Sequence, residues 1–453
     1  MSDRGSFNSK LGIVLASAGS AVGLGNIWRF PTEVGSNGGA AFILVYLAFV
    51  FLFAMPVMVG EFVIGRASHT NTVDAYRKLA GGSKWVLAGY LGVLGGAMVL
   101  SFYSVVAGWT LKYTFDSVTG QICWDADHAG VFSGFVSSPV LSLTCMAAFM
   151  AASHLVVVRG VHEGIERYSK LMMPMLLVII MVLVCCSLAM PGAGKGLSFL
   201  FHPDFSKVTA PVVLSAMGQA FFSLSVGLGC LGTYASYFGK NTRLVRSAFN
   251  VCAIDTLVAV TCGIIIFPAV FSVDSAQVDA GPGLVFITLP RVFHTAFSGM
   301  PVLCYYFSSL FYLLLLLAAL TSSISMHELC TAFVSEKYGM ARSRAAGLVT
   351  VVCSLFGAAC AMSFGPWKDM TFLGMGVFYW FDFLTAKFIM PLGGLLITAF
   401  VGWYMDREMV ESQLTNWGTL RIRSLRILML LIRWVAPIGV GLVFLNELLP
   451  LLR

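Results

Sequence analysis

Charge is scarce in this sequence. Asp, Glu, Lys and Arg make up 11% of its 453 residues, less than half of the roughly 25% a soluble domain carries. No His-Glu-x-x-His and no Gly-x-Ser-x-Gly occurs, so the usual marks of a zinc or serine hydrolase are missing. The eleven cysteines contain no Cys-x-x-Cys pair, which removes the common zinc and redox motifs. Nearly all of them, including Cys185, Cys186, Cys252, Cys262 and Cys360, sit in apolar stretches and read as small packing residues. Cys123 alone falls in a predicted outer loop, so no external disulfide is expected. The segment Met1 to Lys10 is short and polar, and no small-residue cleavage site follows, so no signal peptide is expected. No connection is long enough for a soluble output domain of the kind a membrane sensor usually carries.

What the chain has in abundance is apolar surface: 58% of its residues are hydrophobic, and the mean hydropathy is +0.87. A bilayer core of about 30 Å needs roughly 20 apolar residues per helical crossing. Eleven stretches qualify, near residues 11–34, 40–65, 86–118, 140–158, 168–190, 211–238, 246–271, 300–334, 345–364, 372–405 and 427–449. The fold class expected is an all-α polytopic membrane protein with eleven transmembrane helices. With the N-terminus in the cytoplasm, cytoplasmic connections carry most of the Lys and Arg, such as Arg66, Lys84, Arg167, Arg243, Arg342 and Arg421. The opposite connections hold only Lys195, Lys207, Arg291 and Lys368. That asymmetry orients the chain. The net charge of +7 is then a topology signal, and no nucleic-acid partner is expected.

The chain also repeats itself. Ser20-Ala-Val-Gly-Leu-Gly25 in span one and Leu224-Ser-Val-Gly-Leu-Gly229 in span six share Val-Gly-Leu-Gly. Five crossings separate them, so the second copy enters the membrane in the opposite sense, the arrangement of an inverted repeat. Two repeats follow, residues 11–190 and 211–405, preceded by a cytoplasmic segment 1–10 and followed by a loop and span eleven in 406–453. Glycine costs about 1 kcal/mol in a helix interior, so Gly19, Gly23 and Gly25 predict an unwound span one, and Gly227 and Gly229 an unwound span six. The same glycines would also serve close helix packing. Unwound backbone survives at membrane depth only where it lines a cavity or ligand. There the free N–H groups suit an anion and the free carbonyls a cation.

Longer motifs carry a resemblance. Gly19-Ser-Ala-Val-Gly-Leu-Gly-Asn26-Ile-Trp-Arg29-Phe-Pro31, then Asn37-Gly-Gly-Ala-Ala-Phe42, Gly60-Glu-Phe-Val-Ile-Gly-Arg66, Gly218-Gln-Ala-Phe-Phe-Ser-Leu-Ser225 and Leu320-Thr-Ser-Ser323 resemble the neurotransmitter:sodium symporter family. They run in order from span one to span eight. The chain is similar to the bacterial members, including the leucine transporter. Eleven spans in place of the twelve of many relatives is a departure outside the ten-helix core.

The resemblance implies sodium-coupled import of a hydrophobic amino acid by alternating access, with two sodium ions. One ion would lie between spans one and eight, on the carbonyls of Gly19, Val22 and Ala318 and the hydroxyls of Thr321 and Ser322. By themselves, such hydroxyls also bond back to their own helix. The other would take the Ala21 carbonyl, Asn26, Ser223, Asp255 and the substrate carboxylate, so that ion and substrate each favour the other. The carboxylate would rest on the N–H groups near Leu24 and Gly25 and on the Tyr103 hydroxyl. The ammonium would face carbonyls at Ala21, Phe222 and Ser225. Amine-carrying relatives place Asp where Gly23 stands, which favours an amino acid here. Val99, Tyr103, Phe222, Ser225, Leu228, Ser322 and Met326 would meet the side chain. The leucine transporter has an aromatic at the Leu228 position, so a large or aromatic substrate fits the expectation. Animal members that need chloride bind it at the positions of Tyr46, Gln219 and Ser223. Asp255 replaces an asparagine, while Ala259 stands where relatives carry a serine or glutamate. A carboxylate at the sodium implies that no chloride is required and that Asp255 is protonated on the empty return leg.

The gates follow the same resemblance. Arg29 would pair with Asp382 outside, with Phe222 as lid. Arg4 would pair with Glu336 beside Tyr237 inside, although Arg4 could equally be a solvated terminal charge and Glu336 replaces the usual Asp. Glu61 would bond the exposed backbone of span six. His327 and Glu328 read as a wet lining of the inner pathway, and Lys387, near Pro391, receives no assignment.

Overall fold

The computed structural model describes residues 5–124, 127–273, 281–421 and 424–448. These residues form helices joined by turns, with one isolated bridge between Phe372 and Met375. The helices in the first half are α1 (Lys10–Ala21), α2 (Gly25–Ser36), α3 (Ala40–Ser68), α4 (Thr72–Leu79), α5 (Val86–Val118), α6 (Gln121–Trp124), α7 (His128–Ser137), α8 (Pro139–Val158), α9 (Val161–Leu188) and α10 (Ala193–Phe201). The second half contains α11 (Ala210–Ser223), α12 (Cys230–Ala235), α13 (Leu244–Phe271), α14 (Leu284–Ala296), α15 (Pro301–Tyr338), α16 (Arg342–Met362), α17 (Val377–Tyr404), α18 (Arg407–Leu414) and α19 (Leu425–Asn446). Among the described residues nine helices are long and apolar enough to cross a bilayer, and the pair α1 and α2, bent by 55°, adds a tenth.

Proline explains much of the local geometry. The ring offers no N–H and clashes with the carbonyl four residues back. Five helices widen into a π-turn that ends two residues before a proline: Gly25–Arg29 before Pro31, Val50–Ala54 before Pro56, Leu284–Thr288 before Pro290, Leu384–Ile389 before Pro391 and Leu431–Val435 before Pro437. Such bulges re-aim the side chains they carry. Asn26, Arg29 and Lys387 lie in two of them.

The stretch at 211–238 is not one helix. α11 stops at Ser223 and α12 starts at Cys230; Ser225 between them has φ 51°, Gly227 φ 98° and Gly229 φ 85°. A left-handed serine costs about 1 to 2 kcal/mol, and its neighbours hold it there. Glu61 accepts from the Gly227 N–H at 2.7 Å and the Gly232 N–H at 3.0 Å, which satisfies backbone that the break would otherwise leave bare. Gly65 of α3 lets the Gly232 carbonyl of α12 come within the space of a methyl group, the close approach small residues permit.

Two expectations are corrected. Cys123 is bonded to Cys304, 181 residues away. The stretch from residue 300 forms a helix of 38 residues with Cys304 in its first turn, about 57 Å at 1.5 Å per residue and longer than a 30 Å core requires. His327 and Glu328 are fully buried, not a wet lining. Glu328 accepts from Tyr237 at 2.7 Å and is ion-paired with Arg342. His327 joins Thr331 at 3.0 Å and Thr350 at 2.8 Å, and Thr350 also meets His154.

Candidate functional site

The last turn of a helix leaves carbonyls without partners. α1 ends at Ala21, and Val22 turns to an extended conformation, φ −66° and ψ 113°. The Ser322 hydroxyl of α15 lies 2.9 Å from the Val22 carbonyl and 3.4 Å from those of Gly19 and Ser20. Thr321 lies 3.5 Å from the Val22 carbonyl and 3.0 Å from that of Ala318. One hydroxyl has one proton and cannot satisfy three carbonyls. Gly19, Val22, Ala318, Thr321 and Ser322 thus form a cage with more acceptors than donors, which suits a hard cation.

A second oxygen cluster lies across the break. Asn26 donates to Asp255 at 2.8 Å, and Ser223 donates to its other carboxylate oxygen at 2.6 Å. Asn26 also lies 3.2 Å from the Ser223 hydroxyl, and its amide oxygen accepts from the Gly23 N–H at 3.0 Å. Asp255 is fully buried and has no ion-pair partner among the described residues. A buried carboxylate held only by neutral donors calls for a cation or a proton. Ala21 is the last residue of α1. Tyr46 reaches Ser223 at 3.3 Å, and neither polar atom of the nearby buried Gln219 amide has a partner among the described residues.

Beside both clusters lies a small apolar core containing Leu228 and Met326, with Val99, Tyr103 and Phe222 packed on it. The Tyr103 hydroxyl accepts from the Leu24 N–H at 3.3 Å, so one phenol spans the break and the apolar wall. A side chain at Gly25 would touch Phe222 at 3.2 Å. Ser225 sits in the α11–α12 break.

The outer charges are arranged differently from a simple pair. The Arg29 guanidinium stands 4.1 Å over the Phe222 ring and 3.9 Å from Glu33. Asp382 has no direct salt bridge to it, although the two interact through space, as Asp382 does with Lys387. Lys387 lies 5.7 Å from the Phe383 ring centre. At the other end Glu336 accepts from the backbone and side chain of Asn71, at 2.8 and 3.0 Å. Tyr237 is near Phe7, rings 6.4 Å apart, and Arg4 lies outside the described residues. Sequence reading missed the Glu328–Arg342 pair. Its signal was available: a carboxylate at membrane depth needs a partner, and Arg342 is the first basic residue after the Gly339 turn that ends α15.

A helical bundle whose broken helices gather surplus oxygens and a buried carboxylate beside one apolar cluster has the architecture of a membrane transporter. The chain matches the sodium:neurotransmitter symporter family over residues 4–138 and 130–451, and it belongs to that family. YhdH, a sodium-dependent transporter of Bacillus subtilis, is 38% identical over 440 residues, covering 97% of this chain and 96% of YhdH. The mouse sodium- and chloride-dependent GABA transporter 2 is 26% identical over 439 residues, covering 85% of this chain and 70% of its own length. The structure of MhsT in complex with L-phenylalanine matches with a TM-score of 0.89 at 41% identity, covering 98% of this chain and 100% of MhsT. The protein is thus a multi-pass membrane transporter of the sodium-symport class.

Proposed function

We propose that this protein imports a hydrophobic L-amino acid, large or aromatic ones included, by coupling it to two sodium ions. The observation that carries the reading is the meeting of the two oxygen clusters at the α1–α2 break beside the apolar cluster of Leu228 and Met326. Gly19, Val22, Ala318, Thr321 and Ser322 hold one sodium. Ala21, Asn26, Ser223 and Asp255 hold the other, and the substrate carboxylate completes it while resting on Leu24, Gly25 and Tyr103. Sharing that carboxylate couples the two, because each ligand supplies part of the other's site. L-phenylalanine in the related MhsT structure supports an aromatic occupant. Asp255 supplies the negative charge that chloride supplies in other members, so transport is chloride-independent.

On this reading the chain crosses a bacterial inner membrane eleven times. α11 and α12 together make span six, the N-terminus is cytoplasmic, and residues 11–190 and 211–405 are the inverted repeats. Arg29 and Asp382 close above Phe222 when the substrate is bound, and Arg4, Glu336 and Tyr237 close the cytoplasmic side. The test is uptake of labelled phenylalanine into sealed proteoliposomes under an inward sodium gradient, with other amino acids as competitors. Accumulation that is abolished by choline in place of sodium is expected. Equal uptake in choline refutes sodium coupling, and absence of competition by any hydrophobic amino acid refutes the substrate class.

A further inference from the structure

Where the N-termini of α1 and α13 meet, away from the sodium and substrate clusters, a cavity of about 530 Å3 opens beside Lys10, Arg243 and Arg246. That volume falls within the roughly 300 to 1,000 Å3 of small-ligand pockets. Among the described residues no acidic side chain lines it. None of the three cations forms an ion pair among the described residues. Asn241 and Asn250 add neutral donors. Arg243 is also the N-cap of α13 and gives its first turn no side-chain acceptor, so the N–H groups there add to the positive field.

Apolar surface continues from this basic crevice. Leu11 and Val14 line the cavity itself, Leu11 is 63% exposed, and Phe249 on α13 is 51% exposed. Lys10 stands directly before the first apolar stretch and Arg246 at the start of another, which sets the crevice at headgroup depth. A phosphate-bearing anion satisfies the three cations. The adjoining apolar rim favours one that carries acyl chains, and basic pockets between membrane helices bind such headgroups.

We propose that this crevice binds an anionic phospholipid, its phosphodiester among Lys10, Arg243 and Arg246 and its chains over Leu11 and Phe249. The test uses the purified full chain in detergent and follows its Tm at constant ionic strength. Phosphatidylglycerol, phosphatidylcholine and inorganic phosphate are titrated in parallel. Phosphatidylglycerol should raise the Tm saturably, and the other two should not. With about 1 kcal/mol for each basic residue, Arg243→Gln/Arg246→Gln should raise the half-saturating lipid concentration on the order of 30-fold. Lys10→Gln, on the other helix, should raise it about 5-fold and keeps the test open if the double variant folds poorly. Arg344→Gln, an exposed cation outside the crevice, should respond as wild type. A Lys10 or double variant that responds as wild type overturns the proposal. An equal response to inorganic phosphate overturns the lipid and assigns the crevice to a soluble anion.

Discussion

A single methyl group at Gly23 tests the Ser322 cage and the Tyr103 hydroxyl at once. A Cβ there would lie 2.5 Å from the Ser322 hydroxyl and 3.1 Å from the Tyr103 hydroxyl. Ser322 would have to retreat by about 0.9 Å to reach the 3.4 Å of ordinary contact. Its 2.9 Å bond to Val22 would be lost, at about 1 kcal/mol. Overpacking adds about 1 to 3 kcal/mol. Gly23→Ala should therefore weaken sodium-dependent substrate binding on the order of 30- to 1,000-fold. Gly19→Ala is the graded control: its Cβ would meet Thr321 Cβ at 3.2 Å and Met173 Sδ at 3.4 Å, contacts that yield by a few tenths of an ångström. Its effect should be less than about tenfold and confined to sodium affinity. The assay is equilibrium binding of labelled phenylalanine to purified protein across a sodium titration, with far-ultraviolet circular dichroism to confirm folding. A folded Gly23→Ala protein with wild-type sodium and substrate affinities would refute the placement of Ser322 and Tyr103 at the site.

Three further outcomes are expected. Thr321→Ala with Ser322→Ala removes both side-chain oxygens of the cage and should abolish sodium-stimulated binding; unchanged sodium affinity removes this cage from the mechanism. Leu228→Phe should shift the competition ranking from large towards small aliphatic amino acids, because added volume in the packed wall costs roughly 1 to 3 kcal/mol, and an unchanged ranking places Leu228 away from the substrate. Gluconate in place of chloride at fixed sodium should leave uptake intact, whereas Asp255→Ala should lose sodium coupling. A large loss of wild-type uptake in gluconate, or a normal sodium affinity in the variant, contradicts the role given to Asp255.

The membrane class was legible because one variable, apolar length, decides it. The helix breaks were legible for a related reason: clustered glycines at corresponding places lower the cost of leaving the helix. Glu61 could also be anticipated, since a carboxylate next to bare backbone has few other uses. The Cys123–Cys304 bond was not legible, because hydropathy marks where a helix is apolar and not where it leaves the bilayer, and α15 is longer than a crossing requires. The Glu328–Arg342 pair was missed for a different cause. Its two members lie on separate helices, and adjacency across a turn depends on the crossing angle, which no local pattern encodes. Arg29 shows a third limit. Motif likeness names Asp382 as its partner but not its neighbours in this structure, where the π-turn before Pro31 sets it over Phe222 and near Glu33.

The bond between Cys123 and Cys304 also bears on how the chain is made. On the proposed orientation Cys123 reaches the oxidising side after the third crossing, and its partner cannot arrive until the seventh is complete and the eighth begins. Spans four to seven lie inside the covalent loop, among them Ser223 and Asp255, whereas Asn26, Thr321 and Ser322 lie outside it. The link therefore records that the intervening spans have been threaded with the right parity, since an omitted crossing would leave the two thiols on opposite faces of the membrane. Thiol alkylation during synthesis would read that parity directly, one nascent chain length at a time.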